Sequence, residues 1–164
     1  TRPLLVEIQA LTNPTSYGMP RRTANGVDFN RLVLLAAVLS RRGGIPLANQ
    51  DIIVNVTGGI RINEPAIDVG IALAIASSFR NAWIDPGLVA VGEIGLSGEL
   101  RPVSQLDRRI GEAANLRFET CILPSPIPSG VSCSDGIELR PVKTLSEAIN
   151  SVLLPPQYPS GQQG

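Results

Sequence analysis

The sequence contains no histidine and a single lysine, Lys143, in 164 residues. Without an imidazole, neither a Ser-His-Asp triad nor a Cys-His pair can be assembled, and a zinc site lacks its usual nitrogen ligand. The only two cysteines, Cys121 and Cys133, form no C-x-x-C; they read as reduced thiols, not as a metal-binding pair. Aromatic residues are 4% of the chain, so a core must be built from Leu, Ile, Val and Ala. No apolar run reaches the ~18 residues that a membrane helix needs, and no membrane partner is expected. Neither G-x-x-x-x-G-K-[ST] nor a G-x-G-x-x-G leading from strand to helix occurs, so nothing cradles nucleotide phosphates. No cofactor or metal is expected in this segment.

Hydrophobic residues make up 43% of the chain and charged residues 17%, a globular composition. The 14 basic and 14 acidic residues cancel, which excludes a protein that holds nucleic acid by bulk charge alone. Thirteen of the 14 basic residues are arginine, the better side chain for bidentate contacts with phosphate or carboxylate. Three doublets stand out: Arg21-Arg22, Arg41-Arg42 and Arg108-Arg109. They are candidate nucleic-acid or interface contacts, and solvated helix ends or strand edges would explain each as well. The chain opens TRPLLVEIQAL, with neither an initiator Met nor a signal peptide, and reads as a segment of a longer protein.

The patterning predicts strands over Leu4–Leu11, Arg21–Asn25 and Asp51–Val56, with NPTSYGMP as an exposed loop between the first two. Asp28 predicts the N-cap of a helix from Phe29 to Arg42, with Phe29, Leu32, Val33, Ala36 and Leu39 on its apolar face and Gly43-Gly44 as its stop. After a short strand IRI, Pro65 opens a small-residue helix to Phe79. Leu88–Ile94 and Glu99–Val103 flank a hairpin turn, GLSG. Ser104–Asp107 and Thr144–Glu147 read as capping boxes for two further helices, ending near Leu116 and Leu153. Strands are also predicted over Thr120–Leu123 and Gly136–Pro141, and residues 155–164 read as a disordered tail. The fold class is α/β (α+β), a mixed sheet flanked by helices, over 1–154.

The run GGIRINEPAIDVGIALAIAS places Glu64 and Asp68 about a helix start, where hydrolases often present a nucleophile. Ala66 has no reactive atom. Lys143 adjoins an N-cap and is expected at the surface, and Ser97 and Ser104 have no base in their motifs. Glu64 and Asp68 read as capping groups or an inter-subunit ion pair.

The order RPLLVEIQAL, ANGVDFNRLVLLAAVLSRRGG, DIIVNVTGGIRINEPAIDVGIALAIASS and VAVGEIGLSGELRPV resembles the C-terminal, Lon-protease-like domain of the RadA (Sms) family of bacterial DNA-repair proteins, over about Arg2 to Leu153. Active Lon-type peptidases carry G-P-S-A-G at the helix start and a lysine after G-E-I-x-L-x-G-x-x-x-P-I-G-G-L. By that resemblance Ala66 stands where the serine would be, and GEIGLSGELRPVSQL leads to Asp107, not to a lysine. The resemblance implies a Lon-like fold without proteolysis, a hexameric ring and binding of single- or double-stranded DNA. It also implies contacts with recombinase or other repair proteins, and a cytoplasmic (in a plant, plastid) location. The full-length family member would be an ATP-driven, DnaB-like helicase for branch migration. ATP, Mg and Zn would belong to its other parts.

Overall fold

A carboxylate sets the first helix. Asp28 accepts a hydrogen bond from the Arg31 main-chain N–H at 3.1 Å, and α1 (Phe29–Arg42) runs to Gly43, whose N–H closes on the Leu39 carbonyl. Leu32, Leu35, Ala36, Val38 and Leu39 are its buried residues. Phe29 and Val33, expected on the same face, are 51% and 42% exposed, so the apolar stripe is rotated toward Leu35 and Val38. A computed structural model describes residues 3–131 and 136–155. Cys133 and all but the first residue of the expected tail lie outside the described residues.

Three small sheets replace the one mixed sheet expected. In the first, β1 (Ile8–Pro14) pairs antiparallel and β2 (Arg22–Asn25) parallel with a central β3 (Gln50–Val56). β1 begins four residues later than the alternation suggested, because its register against β3 runs from Ile8↔Val56 to Pro14↔Gln50. The IRI segment is not a strand. Gly58 and Gly59 take φ of 89° and 70°, a left-handed turn favourable to glycine, and Ile62 N–H donates to the Gly26 carbonyl at 2.7 Å. The chain then enters α2 (Asp68–Arg80) through a 3-10 turn, Pro65–Ile67. Asn81, at φ 52°, ends it by donating to the Ser77 and Ser78 carbonyls.

The expected strand Leu88–Ile94 breaks at Gly92. β4 (Leu88–Ala90) joins a parallel sheet with β7 (Thr120–Pro124) and β8 (Glu138–Val142), while β5 (Glu93–Ile94) turns away to pair with β6 (Leu100–Arg101). Gly92 also bonds both sides of the α2 entry: its N–H donates to the Ala66 carbonyl at 3.0 Å, and its carbonyl accepts from Val69 N–H at 3.2 Å. A Cβ there would lie 3.0 Å from a Val69 methyl, so the close approach requires glycine.

α3 (Leu106–Asn115) and α4 (Leu145–Val152) complete the helices. Thr144 Oγ1 accepts from Glu147 N–H at 3.1 Å, and Glu147 Oε2 accepts from Lys143 N–H at 2.9 Å, so the second capping box forms with its carboxylate reaching one residue further back. The first does not form. Gln105, in the left-handed region at φ 58°, occupies the N-cap of α3 and no side chain caps that helix.

Two apolar clusters result. The larger joins the β1-β3-β2 sheet to α1, α2 and α4, and includes Leu35, Val54, Ile71, Ile75 and Ile149. The smaller holds Ala66, Leu106, Ile110, Ala113, Cys121 and Leu123, between α3 and the β4-β7-β8 sheet. Each fully buried Leu or Ile stabilises the fold by ~1.5–3 kcal/mol. The caps give a direct test: Thr144→Ala is expected to lower stability by ~1 kcal/mol in urea denaturation. Ser104→Ala, which removes no cap, should leave the midpoint unchanged.

Candidate functional site

Ala66 is 4% exposed, and its methyl packs in the smaller cluster with Leu106 and Ile110. It also lines a cleft of about 1110 Å³ with Glu64, Ser104, Gln105, Arg109 and Cys121. Asp107 lies in the first turn of α3 and is exposed, favourably placed against the positive end of the helix dipole. Burial of Leu106 and a hydrogen bond from Arg109 Nε to the Ser104 carbonyl at 2.9 Å take the chain into α3 through Gln105. That entry explains why Ser104 and Asp107 do not meet as a capping box.

Both acids of the helix start find arginines within the chain. Glu64 Oε1 accepts from an Arg109 guanidinium N–H at the mouth of the cleft. Asp68, 0% exposed, accepts from Arg31 Nε at 2.7 Å through Oδ1. Its Oδ2 takes a second Arg31 N–H and the Ile94 main-chain N–H, the latter at 3.0 Å. Neither acid caps its helix by a side-chain hydrogen bond; both form intrachain ion pairs, and Asp68, fully buried, has no surface left for a second subunit. The Asp68 hydrogen bond is the main cause that raises the Arg31 pKa further above its ordinary value; burial lowers that of Arg109.

The other candidate groups among the described residues are not paired with one another. Lys143 is exposed, as are Ser97 and Ser104. Ser97 lies beside Glu99, whose Oε2 accepts its N–H at 3.1 Å. Cys121 is buried, and burial pushes its thiol up to about 12, so it is neither a thiolate nor a nucleophile at neutral pH.

The three doublets separate into inward and outward members. Arg22 donates to the Leu47 carbonyl at 3.0 Å and to that of Gln50, tying β2 to the approach of β3. Desolvation lowers its pKa against the opposing pull of Asp51. Arg109 is held by Glu64 and Ser104. Arg21, Arg41, Arg42 and Arg108 are exposed. Arg21 uses its main-chain N–H, not its guanidinium, to bond Asp51 Oδ1 at 2.8 Å, which holds that carboxyl below its ordinary range. Arg61 and Arg101 are also exposed; as singlets they carry no doublet signal, though alternation in ELRPV puts Arg101 on the opposite side from the buried Leu100.

A family model described as subunit ChlI of Mg-chelatase matches residues 17–126. The chain belongs to the ChlI family. That match begins after β1 and takes in β2, β3, the entry to α2, the β5–β6 hairpin and α3. Among curated proteins, this ChlI-family chain is similar to "DNA repair protein RadA" of Halalkalibacterium halodurans, 54% identical over 93% of the chain and 34% of that protein. It is 48% identical to the protein of that name from Synechocystis, over 100% of the chain and 32% of the relative. The one from Bacillus subtilis is also 48% identical, over 93% and 33%. The chain thus spans about a third of the length of these relatives. Among the described residues, no helix is long and apolar enough to cross a membrane.

The two ion pairs differ in burial, and so in expected weight. Arg31→Ala leaves Asp68 buried without its cation and should cost ~3–5 kcal/mol. Arg109→Ala faces Glu64, 48% exposed, and should cost no more than ~1 kcal/mol. Urea denaturation of both variants checks the difference.

Proposed function

We propose that the chain is a non-catalytic, ring-forming and DNA-binding module of a RadA-type DNA-repair protein, built on a Lon-protease-like fold over about 1–154. The observation that carries this reading is Ala66. A buried methyl occupies the helix start where a Lon-type peptidase would hold its serine, and no lysine is among the described residues that line its cleft. The likeness to RadA proteins, from 43% to 54% identity along nearly the whole chain, supports the repair role.

Zero net charge is compatible with DNA binding by such a module. A ring repeats each exposed guanidinium in every subunit, so a few arginines per copy give a multivalent contact. Arg21, Arg41, Arg42, Arg61, Arg101 and Arg108 are among the exposed cations that could serve it. A ring needs two different complementary faces per subunit. ATP-driven, DnaB-like helicase activity, with its ATP, Mg and Zn, would belong to the other two-thirds of the whole protein.

A second reading, an adaptor that binds other repair proteins, is favoured by one observation. Tyr17 and Met19, on the loop between β1 and β2, are 93% and 86% exposed, and exposed aromatic and Met side chains are typical of protein contacts.

Duplex binding followed by fluorescence anisotropy at several salt concentrations tests the proposal. Affinity should fall steeply with salt, and Arg21→Ala and Arg108→Ala should each reduce the salt slope by ~1. A chain that is monomeric by light scattering and retains no duplex at low salt would remove the ring and the DNA contact together. No peptide turnover is expected; turnover lost on Ser97→Ala or Ser104→Ala would overturn the non-catalytic assignment.

A further inference from the structure

The β1-β3-β2 sheet gives one face to the larger core, where Ile52, Val54 and Val56 of β3 are buried with Ala10 and Ala24 beside them. The alternate residues point the other way. At the centre of that outer face Ile53 stands opposite Leu11 of β1 and Thr23 of β2, and the two apolar side chains are 43% and 58% exposed. Uncharged Gln9, Asn55 and Asn25 form the next row. Charge comes only at one end, where Asp51 accepts from Arg21 N–H and, at 3.0 Å, from Thr15 Oγ1.

α1 packs on the inner side of the same sheet and carries a second uncovered stripe. Phe29, Val33 and Ala37 recur at every fourth residue along its exposed side. All the exposed residues from Phe29 to Ser40 are uncharged, although the solvent face of a surface helix ordinarily carries charged side chains. Arg31, in the same span, is turned to Asp68.

We propose that copies of this chain associate head to tail, the Phe29–Val33–Ala37 stripe of one copy lying on Leu11 and Ile53 of the next. The inference rests on the ring-forming reading above and names its two faces. Nucleic acid does not suit them: neither has a cation along its middle to neutralise phosphate, and the sheet face has no aromatic ring on which a base could stack. Scarcity of charge around an apolar centre is instead the composition of a protein contact. The lengths agree, since the 14 residues of α1 span ~21 Å and the 7 residues of β1 and of β3 ~23 Å. Helix on sheet is also the layering that the chain already uses inside. A two-fold dimer would cover one of the faces and leave the other open. Head-to-tail contact covers both in every copy, and it can close as a ring.

Light scattering on the full chain at 0.5 mM tests this. The mass of the unsubstituted protein should be at least three times that of one chain. Val33→Glu on the helix and Ile53→Glu on the sheet each place a carboxylate in the contact. Each should bring the mass down to one chain with the Tm unchanged, because both side chains are exposed. An equal mixture of the two variants should recover the mass of two chains and no more, since the intact helix of one meets the intact sheet of the other and neither can extend. Where either variant fails to fold, Ala37→Glu or Leu11→Glu takes its place. A monomeric unsubstituted chain would remove the ring reading and this pairing together. Oligomers that survive both substitutions would leave the ring to other faces and overturn this pairing alone, as would a mixture that stays at the mass of one chain.

Discussion

The bidentate contact between Arg31 and Asp68 joins the N-terminal turns of α1 and α2 to β5. At the far end, Arg80 reaches the Gly44 carbonyl just beyond α1 at 3.5 Å. These two links show that α1 and α2 run side by side in the same direction, so their dipoles oppose close packing at both ends. Acids at one end and bases at the other offset this. Asp28 and Asp68 stand at the positive ends, and Arg41, Arg42 and Arg80 at the negative ends. Much of the charge at these helix ends thus has a task in folding before any partner is considered. The buried carboxylate also determines where β5 leaves the path of β4, because Ile94 N–H is one of its donors.

The cleft around Ala66 follows from the same arrangement. With Asp68 held from above by Arg31 and Ile94, the 3-10 turn before it points residue 66 inward to Leu106 and Ile110. A hydroxyl there would need a hydrogen-bond partner in an apolar cluster, since an unpaired buried polar group costs ~1–3 kcal/mol. A methyl has no such demand. The ion pair of Glu64 and Arg109 lines the same cleft.

What the sequence reveals is what acts locally. Asp28 and Thr144 cap their helices because each needs only an N–H two or three residues on, and Gly43 ends α1 for the same reason. Misreadings arise where a distant partner decides. Ser104 has the right spacing for a cap, yet Arg109 and the burial of Leu106 take the chain past it. Arg22 and Arg109 look like their doublet partners until Leu47, Gln50 and Glu64, far off in sequence, take their donors. Glu64 and Asp68 carry no sign of which arginine will meet them, because that depends on how α2 lies against α1 and α3. Leu88–Ile94 reads as one strand, and the divergence of β4 and β5 at Gly92 depends on distant contacts with Ala66 and Val69.

The even balance of charge conceals an uneven geometry. Several carboxylates are drawn back onto main-chain N–H groups: Asp28 onto Arg31, Asp51 onto Arg21, Asp85 onto Gly87, Glu99 onto Ser97 and Glu147 onto Lys143. Asp68 is buried outright. Arginines such as Arg21, Arg61, Arg101 and Arg108 extend into solvent on long, flexible stems. Other carboxylates, among them Glu7, Asp107, Glu119 and Glu138, are exposed on the same chain. At physiological salt, screening acts over ~8 Å, so the proposed contact with DNA requires exposed arginines that stand apart from these acids.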